Sequence, residues 1–182
     1  AYEPLSFERL STIPIAERGG KVQLEHMGAP PAPGTGLSKW LDGLPKILAA
    51  DSLREVVAAL KEAKRRRRAI LWGMGGHVIK CGLAPVLTEL IDMGYVTGFV
   101  MNGAATIHDF EIGIAGATSE DVESVLPDGR FGSAEETGRE MNLAIQAGVA
   151  RGLGMGAALG EAITRLAKPE FAGACLQVQA YK

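Results

Sequence analysis

The stretch from Ala69 to Glu111 constrains the fold most: two short apolar runs, each ending in small residues, flank a segment of helical periodicity. The first run, Ala69-Ile-Leu-Trp72, follows four consecutive arginines and stops at Gly73-Met-Gly-Gly76. A short run bounded by charge and glycine suits a buried parallel strand. From Val78 to Met93 the apolar residues Ile79, Leu83, Val86, Leu87, Leu90 and Ile91 recur at helical spacing, with Gly94 at the expected C-cap. Pro85 places the start of the regular helix only a few residues before it. Tyr95 to Met101 is then a second strand, and Asn102-Gly-Ala-Ala105 a second turn leading into Thr106, His108 and Asp109.

This order predicts a βαβ unit. In open parallel sheets ligands bind beyond the carboxyl ends of the strands, where helix N-termini present unpaired amides and a dipole that favours phosphate. Glycine there either lets a ligand reach the backbone or only closes a tight turn. Neither cluster carries the full dinucleotide fingerprint or a P-loop lysine.

The segment Leu71 to Ile112, and above all LTELIDMGYVTGFVMNGAATIHDFE, resembles the first NAD-binding region of the deoxyhypusine synthase family. That family shows a strand with a short polar turn, a helix, and a strand with a Thr-Ala-Gly turn followed by acidic residues, in this order and spacing. The resemblance implies a Rossmann-like three-layer α/β domain with a parallel sheet. By position it places Gly75, Gly76 and His77 at the first NAD turn, Asn102, Gly103 and Ala104 at the second, and Asp109 at the aspartate of the acidic group. Ile107 and His108 stand where the family has a glutamate pair. The family's imine-forming lysine lies in a C-terminal glycine-rich motif that these 182 residues do not contain, and Lys80 sits on the wrong segment to replace it. The activity implied is NAD-dependent oxidation of an amine to an imine followed by aminoalkyl transfer, with a small-molecule amine substrate or a protein acceptor as partner. The alternatives are a non-catalytic NAD- or nucleotide-binding subunit, and a CoA or acyl transferase whose CoA pyrophosphate uses the same turns.

A net charge of −2 gives no global electrostatic reason to expect nucleic acid or membrane. The run Lys64 to Arg68 lacks interleaved aromatics and reads as a solvated helix end, favourable at the negative end of the dipole. Two cysteines, Cys81 and Cys175, without metal-ligand spacing fit a reduced, cytoplasmic protein, and Cys81 reads as core. The absence of an initiator Met, and a strand that begins near Ala174 and reaches Lys182, suggest a fragment of a longer chain.

Residues 1–48 are expected to form an N-terminal arm and edge elements, because Gly28-Ala-Pro-Pro-Ala-Pro-Gly-Thr-Gly36 cannot hold a regular helix or central strand. An arm of this length either lies on a neighbouring subunit of a homo-oligomer or is a flexible tail. Residues 49–182 are expected to form the nucleotide-binding domain. In it Asp51 or Ser52 caps a helix to Lys64 with Leu53, Val56, Val57 and Leu60 on one stripe. Thr118 or Ser119 caps a short helix, and Ser133 with Glu136 forms a capping box for a helix that turns Met141, Ile145 and Val149 inward. Gly152, Gly154 and Gly156 follow no strand, so they read as a helix–helix turn.

His77 and His108 each follow a small-residue turn at a predicted strand end, with Asp109 and Glu111 beside the second. Such a grouping supplies acid–base chemistry, with His108 and Asp109 as the catalytic candidates. Its alternatives are a metal site of His77, His108 and Asp109, or structural hydrogen bonding.

Overall fold

A computed structural model of the chain describes residues 2–4 and 6–182. These divide into two compact units, 2–59 and 60–182. In the first unit the proline-rich run is without regular structure, as expected, and helix α1 (Leu37–Gly43) follows it. Helix α2 (Leu48–Arg65) starts earlier than the capping residues predicted, so Asp51 lies in its first turn. Arg54 satisfies the carbonyls of Leu41 (3.0 Å) and Pro45 (2.9 Å), tying α2 to the loop before it. The apolar stripe of α2 is not buried: Leu53 and Val56 are exposed.

The second unit is α/β and mostly helical. Its sheet has two parallel strands, β1 (Leu71–Met74) and β2 (Gly98–Met101), aligned Leu71 with Gly98 through Met74 with Met101. β1 is displaced two residues beyond its apolar run, through Gly73, and β2 is shorter than its run. Upstream of them Thr97 fixes the register, its hydroxyl bonding both the amide of Ile70 (2.8 Å) and its carbonyl (3.0 Å). Trp72 Nε1 donates to the carbonyl of Tyr95 at 2.9 Å, and Lys64 Nζ lies 4.3 Å from the Tyr95 ring centre. Next to Lys64, Arg65 and Arg66 are neutralised locally, because Glu62 accepts from both. These guanidiniums hold the Glu62 carboxyl below its usual range.

The crossover is two helices, α3 (Gly76–Lys80) and α4 (Ala84–Asp92), separated at Gly82, with Pro85 in the first turn of α4. Gly94 has φ +72° just past α4, the left-handed cap expected of it. After β2 the chain enters helix α5 (Gly103–Ala115) at once, with no intervening turn. Short α6 (Val122–Val125), α7 (Glu135–Ala150), α8 (Met155–Leu166) and α9 (Leu176–Tyr181) complete the unit. Three predicted features are corrected here. Neither α6 nor α7 has a side-chain cap, so the Thr118, Ser119 and Ser133 caps do not form. Val149 is exposed, while Met141 and Ile145 are half-buried. The segment read as a C-terminal strand is α9.

Two apolar clusters hold the unit. One joins Ile79, Ala84, Leu87, Ala105 and Leu176 beneath Trp72, Met74, Phe99 and Met101; the other joins Phe110, Ile163, Cys175 and Val178. Fully burying side chains of this size is worth about 1.5–3 kcal/mol each. The turn around Gly152 does join α7 to α8, and a Cβ on Gly148 would collide with Ala158, so the small residues serve close helix packing. A cavity of about 570 Å³ takes all four residues of β2 into its wall, with Leu159, Gln177 and Tyr181 opposite. No helix among the described residues is long and apolar enough to cross a membrane.

Candidate functional site at the strand ends

Because Met74 is paired with Met101, the two strands end level and the chain leaves both at the same edge. Gly75 and Asn102 are therefore neighbours: a Cβ on Gly75 would lie 3.4 Å from Asn102 Nδ2. Asn102 is the N-cap of α5, its Oδ1 accepting from the amide of Ala105 at 2.9 Å. The next two amides, of Gly103 and Ala104, belong to the helix's first turn and have no partner among the described residues. Gly103, Ala104 and Asn102 are exposed, and a Cβ on Gly103 would meet nothing within 4 Å. His77 is exposed in the first turn of α3.

Gly76 has a packing role. A Cβ there would lie 2.9 Å from His108 Cδ2 and 3.2 Å from Ala104 Cβ, so glycine lets α3 approach α5 and lets the imidazole rest against the first turn. His108, half-buried, is thus brought to the first strand end. Its Nδ1 is 2.7 Å from Thr118 Oγ1, and Thr118 in turn donates to Glu111 Oε2. Glu111 Oε1 accepts from Thr137 at 3.2 Å. Glu111 and His108 Nδ1 are 3.8 Å apart.

Asp109 lies elsewhere. It is fully buried and accepts from the amides of Leu176 (2.7 Å) and Gln177 (2.8 Å), from Gln177 Nε2 (3.1 Å) and from Cys175 Sγ (3.2 Å). One carboxylate on two amides at a helix N-terminus is a cap delivered from a distant element. It explains why Leu176–Tyr181 is helical despite its alternating pattern. Burial, reinforced by the Asp109 charge, pushes the Cys175 thiol well above its ordinary range. Cys81, expected in the core, is exposed. The described residues include no group of three His, Cys, Asp or Glu side chains placed to hold a metal ion, so the His77, His108 and Asp109 metal alternative does not form.

Beyond Glu111 opens a cavity of about 610 Å³ bounded by Ile107, Glu111, Thr118, Thr137, Met141 and Ile145. Glu120 and Glu136 also line it, and no lysine or arginine does. Neither Thr118, in the loop just after α5, nor Thr137, 26 residues beyond Glu111 on α7, carried a pattern that marked it as a site residue. No family model, no curated protein and no solved structure matches the chain.

Proposed function

We propose that this chain carries the NAD site of an enzyme resembling deoxyhypusine synthase, with the dinucleotide over Gly75 to His77 and Asn102 to Ala104 and an amine as the group oxidised. The observation that carries this reading is the level ending of two parallel strands beside the open N-terminus of α5, with two unpaired amides and no side chain over Gly103. Such a terminus favours the pyrophosphate through directed N–H groups and the helix dipole. The neighbouring cavity supports an amine: its walls are apolar and its ionisable groups are carboxylates. The parallel pairing of β1 and β2 through a helical crossover is compatible with a Rossmann-like three-layer sheet. On this reading Gly75 to His77 and Asn102 to Ala104 would hold NAD, which would supply a hydride acceptor, and the protein's own share is to bind the phosphates, seat the amine and receive its proton.

A second reading, a nucleotide-binding subunit without turnover, is favoured by one observation. Asp109, which matches the family's aspartate, is spent on capping α9 and is closed to solvent.

Thermal unfolding with NAD, adenosine diphosphate or CoA tests both. A ligand at about 100 times its Kd adds about 2.7 kcal/mol to stability, so binding raises the midpoint. Gly103→Val is the decisive variant, because its side chain enters open space in the fold yet covers the free amides. The reading expects a midpoint rise with NAD that Gly103→Val abolishes while its own unliganded midpoint stays near the parent's. A rise with CoA and none with NAD overturns it in favour of an acyl or CoA transferase. No rise with any of the three removes the strand-end site from consideration.

A further inference from the structure

The His108, Thr118 and Glu111 contacts have a direction that follows from counting hydrogens. A threonine hydroxyl carries one hydrogen and two lone pairs, and a carboxylate only accepts. Thr118 gives its hydrogen to Glu111 Oε2, so its 2.7 Å contact with His108 Nδ1 is one in which Nδ1–H donates and Oγ1 accepts. Neutral imidazole carries one N–H, and here that hydrogen is on Nδ1. Nε2 is left with a lone pair and has no hydrogen-bond partner among the described residues. The ring atom next to Nε2, Cδ2, is the one that borders Gly76, so this edge of the ring faces the first glycine turn. A second hydroxyl, Thr137 Oγ1, holds the other oxygen of Glu111 at 3.2 Å and stops the carboxylate from turning away.

We propose that Thr118 and Glu111 are positioning residues that fix His108 in the Nδ1–H tautomer, and that His108 Nε2 is the proton acceptor for a ligand held at the Gly75–His77 turn. In the step assigned to it, one proton leaves the ligand's N–H or O–H group for Nε2, and the electron pair of that bond stays on the ligand. The resulting imidazolium keeps Nδ1–H on Thr118, and Glu111 offsets its positive charge through the hydroxyl without itself taking the proton. This is the logic by which a buried carboxylate orients a catalytic histidine, here with a hydroxyl interposed. The amine function above is needed only to say which proton moves; the tautomer does not depend on it.

The test is nitrogen-15 long-range correlation spectroscopy of the full chain at about pH 9, where an ordinary imidazole is neutral. His108 signals are assigned by their loss in His108→Gln. The proposal expects Nδ1 to be protonated in the parent, against the Nε2–H form that unconstrained histidine prefers. Thr118→Val should invert the major tautomer, and Thr118→Ser should restore it. A parent His108 in the Nε2–H form overturns the proposal whether or not any variant folds. Retention of Nδ1–H in a folded Thr118→Val, judged by an unchanged far-ultraviolet spectrum, overturns the role of Thr118. NAD is then added as a probe. If it raises the unfolding midpoint but leaves the His108 Nε2 shift where it was, the acceptor role is overturned. Failure of NAD to bind shows in the midpoint alone and counts against the strand-end reading, while the tautomer result still decides the relay.

Discussion

Asp109 and Glu111 are two residues apart on α5, and the helix turns them to different tasks. At about 100° per residue they face nearly opposite sides. Asp109 is sealed among Cys175, Leu176 and Gln177 with four donors on it. Glu111 is held by two hydroxyls, stands beside a histidine and borders a cavity. A carboxylate surrounded by backbone donors and closed to solvent holds elements together. One held by hydroxyls at the mouth of a cavity keeps a side exposed for chemistry. Glu161 gives the comparison a third, surface case: it joins α8 to Arg151 at 2.6 Å and to Arg165 at 2.9 Å.

The largest effect that would sharpen this contrast is expected from Asp109→Ala. It strands three N–H donors and a thiol at the start of α9, and should cost about 3 kcal/mol or more in urea unfolding. Glu111→Ala, losing two hydroxyl partners at a half-open position, should cost about 1 kcal/mol. Equal losses would break the distinction between the two faces.

Thiol labelling reads the same seal without a mutation. In the native state Cys81 should react on the order of 100-fold faster or more than Cys175, because reaction needs an accessible thiolate. Asp109→Ala should narrow that ratio by opening α9. The raised Cys175 pKa also fixes a sign. The folded state holds that proton longer than the unfolded one, so the stabilisation is complete below the unfolded thiol's pKa of about 8.5 and is lost as pH rises above it. Cys175→Ala should flatten that part of the alkaline decline in unfolding midpoint.

The smallest effect is expected at Glu161. Arg151 first, and then Arg165, hold its carboxyl below the usual range. A depressed folded pKa stabilises above the unfolded value, and the contribution disappears as pH falls through the folded one. Arg151→Met should therefore lower the midpoint slightly at neutral pH. The difference should vanish in acid or in about 1 M salt, where screening acts within about 3 Å. A drop that persists under both conditions would mean that the Arg151 stem packs rather than pairs.

Local signals were sound where a residue's effect is local. Gly94 ends α4, Gly152 turns α7 into α8, and the parallel strands lie where charge, apolar runs and glycine coincide. The capping predictions failed because the helices begin elsewhere: Asp51 lies inside the first turn of α2, and α6 and α7 start from Asp121 and Ala134. Asp51, Thr118, Ser119 and Ser133 each precede a run of helical pattern, yet a cap needs its oxygen turned back onto its own helix. Thr118 Oγ1 instead lies between Glu111 Oε2, to which it donates, and His108 Nδ1. The alternating apolar and polar residues of Cys175 to Ala180 fit a strand by period, and Asp109 overrules them by binding the first two amides of a helix.

From the order of residues alone came the βαβ unit, the end of the second strand at Met101 and the choice of Gly75 to His77 and Asn102 to Ala104 as the place to look. Those rest on chain spacing, which a linear reading can measure. Only the tertiary structure decided which neighbour of each side chain is close enough to bond. It took Asp109 out of the exposed site, joined Thr118 and Thr137 to Glu111, and laid His108 against Gly76. Hydrogen bonds form across a few ångströms of space whatever the separation along the chain, so the partners of a polar group become known only when the helices are packed.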